Sequence, residues 1–178
     1  MLKGKRVILR PLQKLDISLF LKWYNDPEIT QYMGIYLPLT EINEGKWLEE
    51  AAGGRNGTQV FFVIEAFENN RANPIGSISL ERIDSKNQNA ELGIGIGEKK
   101  YWDKGYGTEA ARLLVDYGFK QLNLHRISST VFSPNKRSLK MHHKVGFTKE
   151  GIRKQAFFKN GQFLDLVVFG LLREDWQG

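Results

Sequence analysis

Residues 91–110, ELGIGIGEKKYWDKGYGTEA, decide how this chain is read. Leu92, Ile94 and Ile96 alternate with Glu91, Gly93, Gly95 and Gly97, the period of a strand with one face almost free of side chains. Such a face admits a close neighbour, either a packed element or a ligand. After Lys99 and Lys100, the run from Trp102 to Thr108 opens an amphipathic stretch whose Ala110, Leu113, Leu114, Tyr117 and Gly118 share a face. A helix that starts among glycines has free N–H groups and a positive dipole end, which favour a phosphate. Neither GxxxxGK[ST] nor a GxGxxG directly after the strand is present. The stretch therefore predicts a long ligand, lying along the glycine face with its phosphates at the helix.

Working outward, Lys5 to Leu12 reads as a strand. A helix runs from Asp16 or Ser18 to Tyr24 and is stopped by Asn25-Asp26-Pro27. An irregular aromatic segment, 29–39, follows, and Thr40 is the expected N-cap of a second helix that ends before Gly53-Gly54. Strands are expected over 59–67, 74–83 and 90–96, with polar turns at 68–73 and 84–89. Beyond the helix 105–121 come a strand over 126–132, a helix to Lys144 ended by Gly146, and strands over 147–158 and 162–172. Asn160-Gly161 between the last two is a strong hairpin signal. The order β-α-α-β-β-β-α-β-α-β-β predicts one α+β domain across 1–178, built on a mixed, largely antiparallel sheet.

Composition narrows the function classes. Of 178 residues, 41% are apolar and 26% charged, the balance of a globular domain with a core of its own. No run of about 18 apolar residues suggests a membrane span, and the first residues lack the apolar core of a signal peptide. With no cysteine, disulfides and thiolate catalysis are excluded, and a cytoplasmic setting is expected. The net charge of +6 suits an anionic cofactor, and the cations are spread along the chain rather than clustered for nucleic acid. His142 and His143 adjoin without a third ligand, so no metal site is predicted.

Trp102-Asp103-Lys104-Gly105-Tyr106-Gly107 resembles the Q/R-x-x-G-x-G/A hallmark of the GNAT superfamily of acyl-CoA-dependent N-acetyltransferases. A tryptophan in the first place is similar to the branch with Y-W-G-K-G-Y-A/G-T-E-A, which holds the ribosomal-protein N-terminal and spermidine acetyltransferases. Asp103 stands where that branch has glycine. Asn135-x-x-Ser138 and Lys144-Val145-Gly146-Phe147 resemble a second family motif, N-x-x-S…E-K-x-G-F, so the likeness spans essentially the whole chain.

The resemblance implies a GNAT fold, acetyl-CoA as co-substrate, and direct transfer to a primary amine, either a protein N-terminus or a polyamine-like molecule. It implies that the pantetheine arm pairs with Ile94, Gly95 and Ile96. The pyrophosphate would take amides from Trp102, Asp103, Lys104, Gly105, Tyr106, Gly107 and Thr108, and Asn135 would bind the pantetheine by its amide, cap a helix, or both. Glu91 is the candidate base, fourteen residues before Gly105, the spacing of the catalytic glutamate in the histone acetyltransferase branch. His142 stands four residues before Gly146, where many members carry a tyrosine as general acid. Trp23, Tyr32 to Tyr36, Phe157, Phe158 and Phe163 could wall the acceptor site, and Asp26, Glu28, Glu41 and Asp165 could face a cationic acceptor. A homodimer through the C-terminal strands is compatible with the family. The alternatives are a CoA-binding module without catalysis and a basic nucleic-acid-binding domain.

Overall fold

The computed structural model describes residues 1–40 and 57–178. The second helix expected after its N-cap Thr40 and ending before Gly53-Gly54, with Glu41, lies outside the described residues. The strands are β1 (Leu2–Lys3), β2 (Val7–Pro11), β3 (Val60–Glu68), β4 (Arg71–Asp84), β5 (Asn89–Ile96), β6 (Arg126–Phe132), β7 (Thr148–Lys159) and β8 (Gln162–Leu172). The helices are α1 (Ile17–Tyr24), α2 (Pro27–Thr30), α3 (Tyr106–Lys120) and α4 (Lys136–Val145). The eight strands form one sheet in the order β1-β2-β3-β4-β5-β6-β8-β7. Every neighbouring pair is antiparallel except β5 and β6.

Local chemistry explains most boundaries. Asn69 and Asn70, with φ of 50° and 60°, turn β3 into β4, so the expected six-residue turn shrinks to two. Asn160 and Gly161 make the β7–β8 turn in the same left-handed region. Pro27 ends α1 and opens α2, because its fixed φ suits a first helical position and Asp26 accepts from Glu28 N–H. Gly146, at φ 117°, closes α4.

The two faces of the sheet carry different covers. On one, α3 buries Ala110, Ala111, Leu114, Val115 and Phe119 against Ile64, Ile78, Leu80, Leu92 and Ile127. Gly118 permits that approach, since a Cβ there would stand 3.0 Å from Leu80 and Ile127. On the other, Phe20 and Trp23 of α1 pack on Val63 and Phe61. Arg10 of β2 ties the start of α1 to the sheet through Asp16 and Glu65, at 2.7 and 2.6 Å.

Candidate active site

The site begins where two strands stop pairing. β5 and β6 run parallel only through Asn89↔Arg126, Ala90↔Ile127 and Glu91↔Ser128. Beyond them the Leu92 carbonyl is met by a side chain, Ser129 Oγ at 3.0 Å, rather than by a backbone donor. Backbone groups alternate along a strand, so Ile94 and Ile96 turn theirs to the same open edge as Leu92. Gly97 N–H confirms the parity by bonding back to Ile75 on β4 at 2.8 Å. The Ile96 carbonyl is taken by Trp102 Nε1 at 2.8 Å. The Ile94 N–H and C=O and the Ile96 N–H therefore face the gap, ready to pair with an extended amide-bearing chain.

The other end of the site is built at the start of α3. Gly105 is its N-cap at φ 89°, a left-handed conformation that glycine adopts without strain. No side chain caps this end, so the Tyr106, Gly107 and Thr108 N–H groups have no intrahelical partner. Trp102 differs from its neighbours, for its amide bonds to Lys99 O at 3.0 Å. Asp103 sits at φ 59°, which explains an aspartate at a glycine position: both tolerate the left-handed region. The loop is braced from behind. Arg6 donates to Lys104 O at 3.3 Å and covers the Tyr106 ring at 4.6 Å, while Glu68 accepts from the Tyr101 and Tyr106 hydroxyls. Those phenols, with Lys100 and Lys104 nearby, hold the Glu68 carboxyl below its usual pKa.

A cavity of about 350 Å³ joins these parts. Of the expected cofactor residues, Ile94, Gly95, Ile96, Trp102, Asp103, Gly105, Gly107, Thr108 and Asn135 line it. Lys104 and Tyr106 do not; Tyr106 is buried, with its hydroxyl toward Glu68. Asn135 caps α4 by accepting from Ser138 N–H at 3.1 Å through Oδ1, which leaves its Nδ2 donors for the cavity. The sequence reading missed Arg137, Lys140 and Lys144, which project into the cavity from α4. Their three- and four-residue spacing on one helix face was the available signal. Arg137 stacks on the Trp102 ring at 3.9 Å.

A second cavity, of about 500 Å³, adjoins the first and shares Tyr32, Met33, Ile94, Gly95, Asn135 and Ser138 with it. Its other walls include Tyr24, Phe61, Ser79, Glu81, Gly93, Ser129 and Phe132. The glycine face opens here, with a correction to its expected purpose. A Cβ on Gly97 would stand 2.2 Å from Trp23, and one on Gly95 would stand 2.7 Å from Met33. Those glycines make room for α1 and the segment after α2, whereas the free backbone edge faces the gap.

Several expected roles meet different surroundings. Glu91 is ion-paired with Arg82 and lines neither cavity. Its cross-strand partner Glu81 lines the second one. His142 is 1% exposed and stacked on Phe169. Its Nδ1 lies 2.8 Å from the Ser138 carbonyl, which can only accept, so this nitrogen carries the proton. Nε2 lies 2.8 Å from Ser129 Oγ, whose one proton also serves the Leu92 carbonyl, so both ring nitrogens are engaged within the protein. Burial also pushes the His142 pKa down, against the imidazolium that a general acid requires. These contacts hold the His142 ring between the Ser138 carbonyl, Ser129 Oγ and Phe169. Asp26 and Glu28 are both paired with Lys99, and Asp165 accepts from Gln155 N–H at 2.8 Å. Tyr36, Phe158 and Phe163 are exposed. Lys159 was not anticipated: its ammonium donates to the Thr30, Met33 and Ile35 carbonyls, tying the wall segment to the β7–β8 hairpin.

A family profile described as an acetyltransferase (GNAT) domain matches residues 6–148. The chain belongs to the GNAT acetyltransferases. It is 31% identical to the uncharacterized N-acetyltransferase p20 of Bacillus licheniformis, over 98% of this chain and 97% of that one. It is 29% identical to the spermidine N(1)-acetyltransferase of Escherichia coli K12, over 90% of this chain and 83% of the relative. Among solved structures, the spermidine N-acetyltransferase of Vibrio cholerae, in complex with CoA and spermine, superposes with a TM-score of 0.88. It shares 23% identity over 98% of this chain and all of that one, a likeness of fold. This GNAT chain is thus an acetyl-CoA-dependent N-acetyltransferase, with an α+β fold on a largely antiparallel sheet. Among the described residues no helix is long and apolar enough to cross a membrane.

Proposed function

We propose that acetyl-CoA occupies the first cavity and a primary amine the second, with direct transfer between them in a ternary complex. The observation that supports this is the shared wall, Ile94, Gly95, Asn135 and Ser138, which puts the two compartments in contact at the unpaired edge of β5. The pantetheine arm pairs with the Ile94 and Ile96 edge. The pyrophosphate takes the Tyr106 to Thr108 amides, with Arg137, Lys140 and Lys144 offsetting its charge. Backbone N–H groups of the edge polarise the thioester carbonyl.

The acceptor is a primary amine on a partly apolar stem. Tyr24, Tyr32, Phe61 and Phe132 supply apolar wall, and Glu81 is the carboxylate among the described lining residues. A protein N-terminus meets that description. A polyamine is the second reading, supported by the similarity to the spermidine N(1)-acetyltransferase and opposed by this chain's net charge of +6. A cytoplasmic location, supported by the absence of cysteine, belongs to the same proposal. So does a homodimer covering Ile152, Phe158 and Phe163 on the terminal strands. Release of CoA thiol, followed over N-terminal peptides, polyamines, aminoglycosides and amino acids, tests the acceptor. Faster turnover of peptides than of polyamines is expected. Turnover of polyamines alone would reverse the order of the two readings.

A further inference from the structure

Glu81 and Glu91 face each other across β4 and β5 on the glycine side of the sheet. Two carboxylates so placed repel unless something separates their fates. A β-bulge does so here. The register shifts between Glu81 and Asp84, and Arg82 adopts a φ of 51°. The bulge takes Arg82 out of the strand alternation and brings its guanidinium onto Glu91. No described cation pairs with Glu81. Its Oε1 instead accepts from Ser79 Oγ at 2.8 Å. The same oxygen lies 3.7 Å from the point where a Cβ on Gly93 would stand. A Cβ there would crowd Ser79 Oγ at 3.0 Å, so the glycine leaves room for the hydroxyl that holds Glu81, and the carboxylate reaches the lining of the second cavity. Gly93 lies between Leu92 and Ile94, next to the edge assigned above to the acyl arm.

We infer that Glu81 is the catalytic residue that receives the acceptor's ammonium and takes its proton, with Ser79 holding the carboxylate in place. This rests on the two-cavity reading. The ammonium gives one proton to Glu81, which passes it to solvent. The freed lone pair forms the N–C bond, the C–S bond breaks, and the second proton lost by nitrogen ends on the departing sulfur. An exposed carboxylate contributes here by placement beside the amine rather than by basicity.

The experiment compares Glu81→Gln, Glu91→Gln and Ser79→Ala, with spermidine and an alanyl N-terminal peptide as acceptors and acetyl-CoA binding followed by calorimetry. Glu81→Gln is expected to lower kcat/KM for the acceptor about a hundredfold, within the usual range for a general base, with the CoA Kd and melting temperature unchanged. Ser79→Ala should show the same loss in part, and Glu91→Gln should stay within about twofold of wild type. A loss in Glu91→Gln with Glu81→Gln unaffected overturns the assignment, as do three variants that all turn over normally. Wild-type protein that binds acetyl-CoA yet turns over neither acceptor also overturns it. Failure of the wild type to bind acetyl-CoA overturns instead the reading on which it rests.

Discussion

The two cavities share a wall and are made of different material. The first cavity, proposed above for acetyl-CoA, offers backbone: the open edge at Ile94 and Ile96, the first-turn amides of α3, and cations from α4. Its polar groups are fixed by strand and helix geometry, so few side chains need to be held. The second, proposed for the acceptor, offers side chains from many places: Tyr24, Tyr32, Phe61, Ser79, Glu81, Ser129 and His142. Each needs its own support, such as Ser79 for Glu81, His142 for Ser129, and Lys159 for the segment carrying Tyr32 and Met33. A backbone site suits one invariant ligand, and a side-chain site lets the acceptor vary while the fold stays the same.

The difference can be broken from either side. Gly105→Val places a β-branched residue at φ 89° in the phosphate turn, a strain of about 1–3 kcal/mol. It should weaken CoA binding by about tenfold to a hundredfold in calorimetry, with the circular dichroism of the sheet retained. On the other side, Lys159→Met frees the Thr30, Met33 and Ile35 carbonyls. The acceptor KM should rise by about tenfold, the worth of one charged hydrogen bond, and CoA affinity should fall by less, since only Tyr32 and Met33 of this segment reach both cavities.

A smaller gain is expected at Asp103. Asp103→Gly relieves the left-handed conformation at φ 59° and removes an anion from the phosphate cavity. At about 1 kcal/mol for a solvated charge pair, CoA should bind roughly fivefold more tightly. His142 gives the mildest effect, on stability. Burial lowers its pKa in the folded chain below the ordinary 6.5. Its contribution is therefore complete above the unfolded value and is lost as pH falls below it, because the unfolded chain then binds a proton that the folded chain refuses. A melting series from pH 7.5 to 5 should lose less stability in His142→Phe than in wild type.

How far the sequence could be read follows the same division. The residues expected at the cofactor are nearly contiguous, 94–108 plus Asn135, so strand period, glycine spacing and a helix start point to one stretch, and most of those residues line the first cavity. Arg137, Lys140 and Lys144 lie apart from that stretch, on α4, and the rest is geometric. Glycines at 95 and 97 signal close approach without saying by what, and only the fold shows Met33 and Trp23 filling the space. The lining of the second cavity joins segments from Tyr24 to His142 through strand register. Glu81 and Glu91 look alike in sequence; a bulge and one left-handed arginine set them apart. His142 sat in the expected place, but its burial against Phe169 and its two hydrogen bonds, which work against an acid's role, depend on tertiary packing.

The central claim is that the unpaired edge of β5 holds the acyl-pantetheine arm. Amide hydrogen exchange, resolved at Ile94 and Ile96 with and without acetyl-CoA, tests it most directly. Both amides face the gap, so both should exchange quickly in the free protein and become protected on binding, together with Tyr106 to Thr108. Protection of the α3 amides with Ile94 and Ile96 unchanged would contradict the claim, placing the phosphates as described but the acyl arm elsewhere.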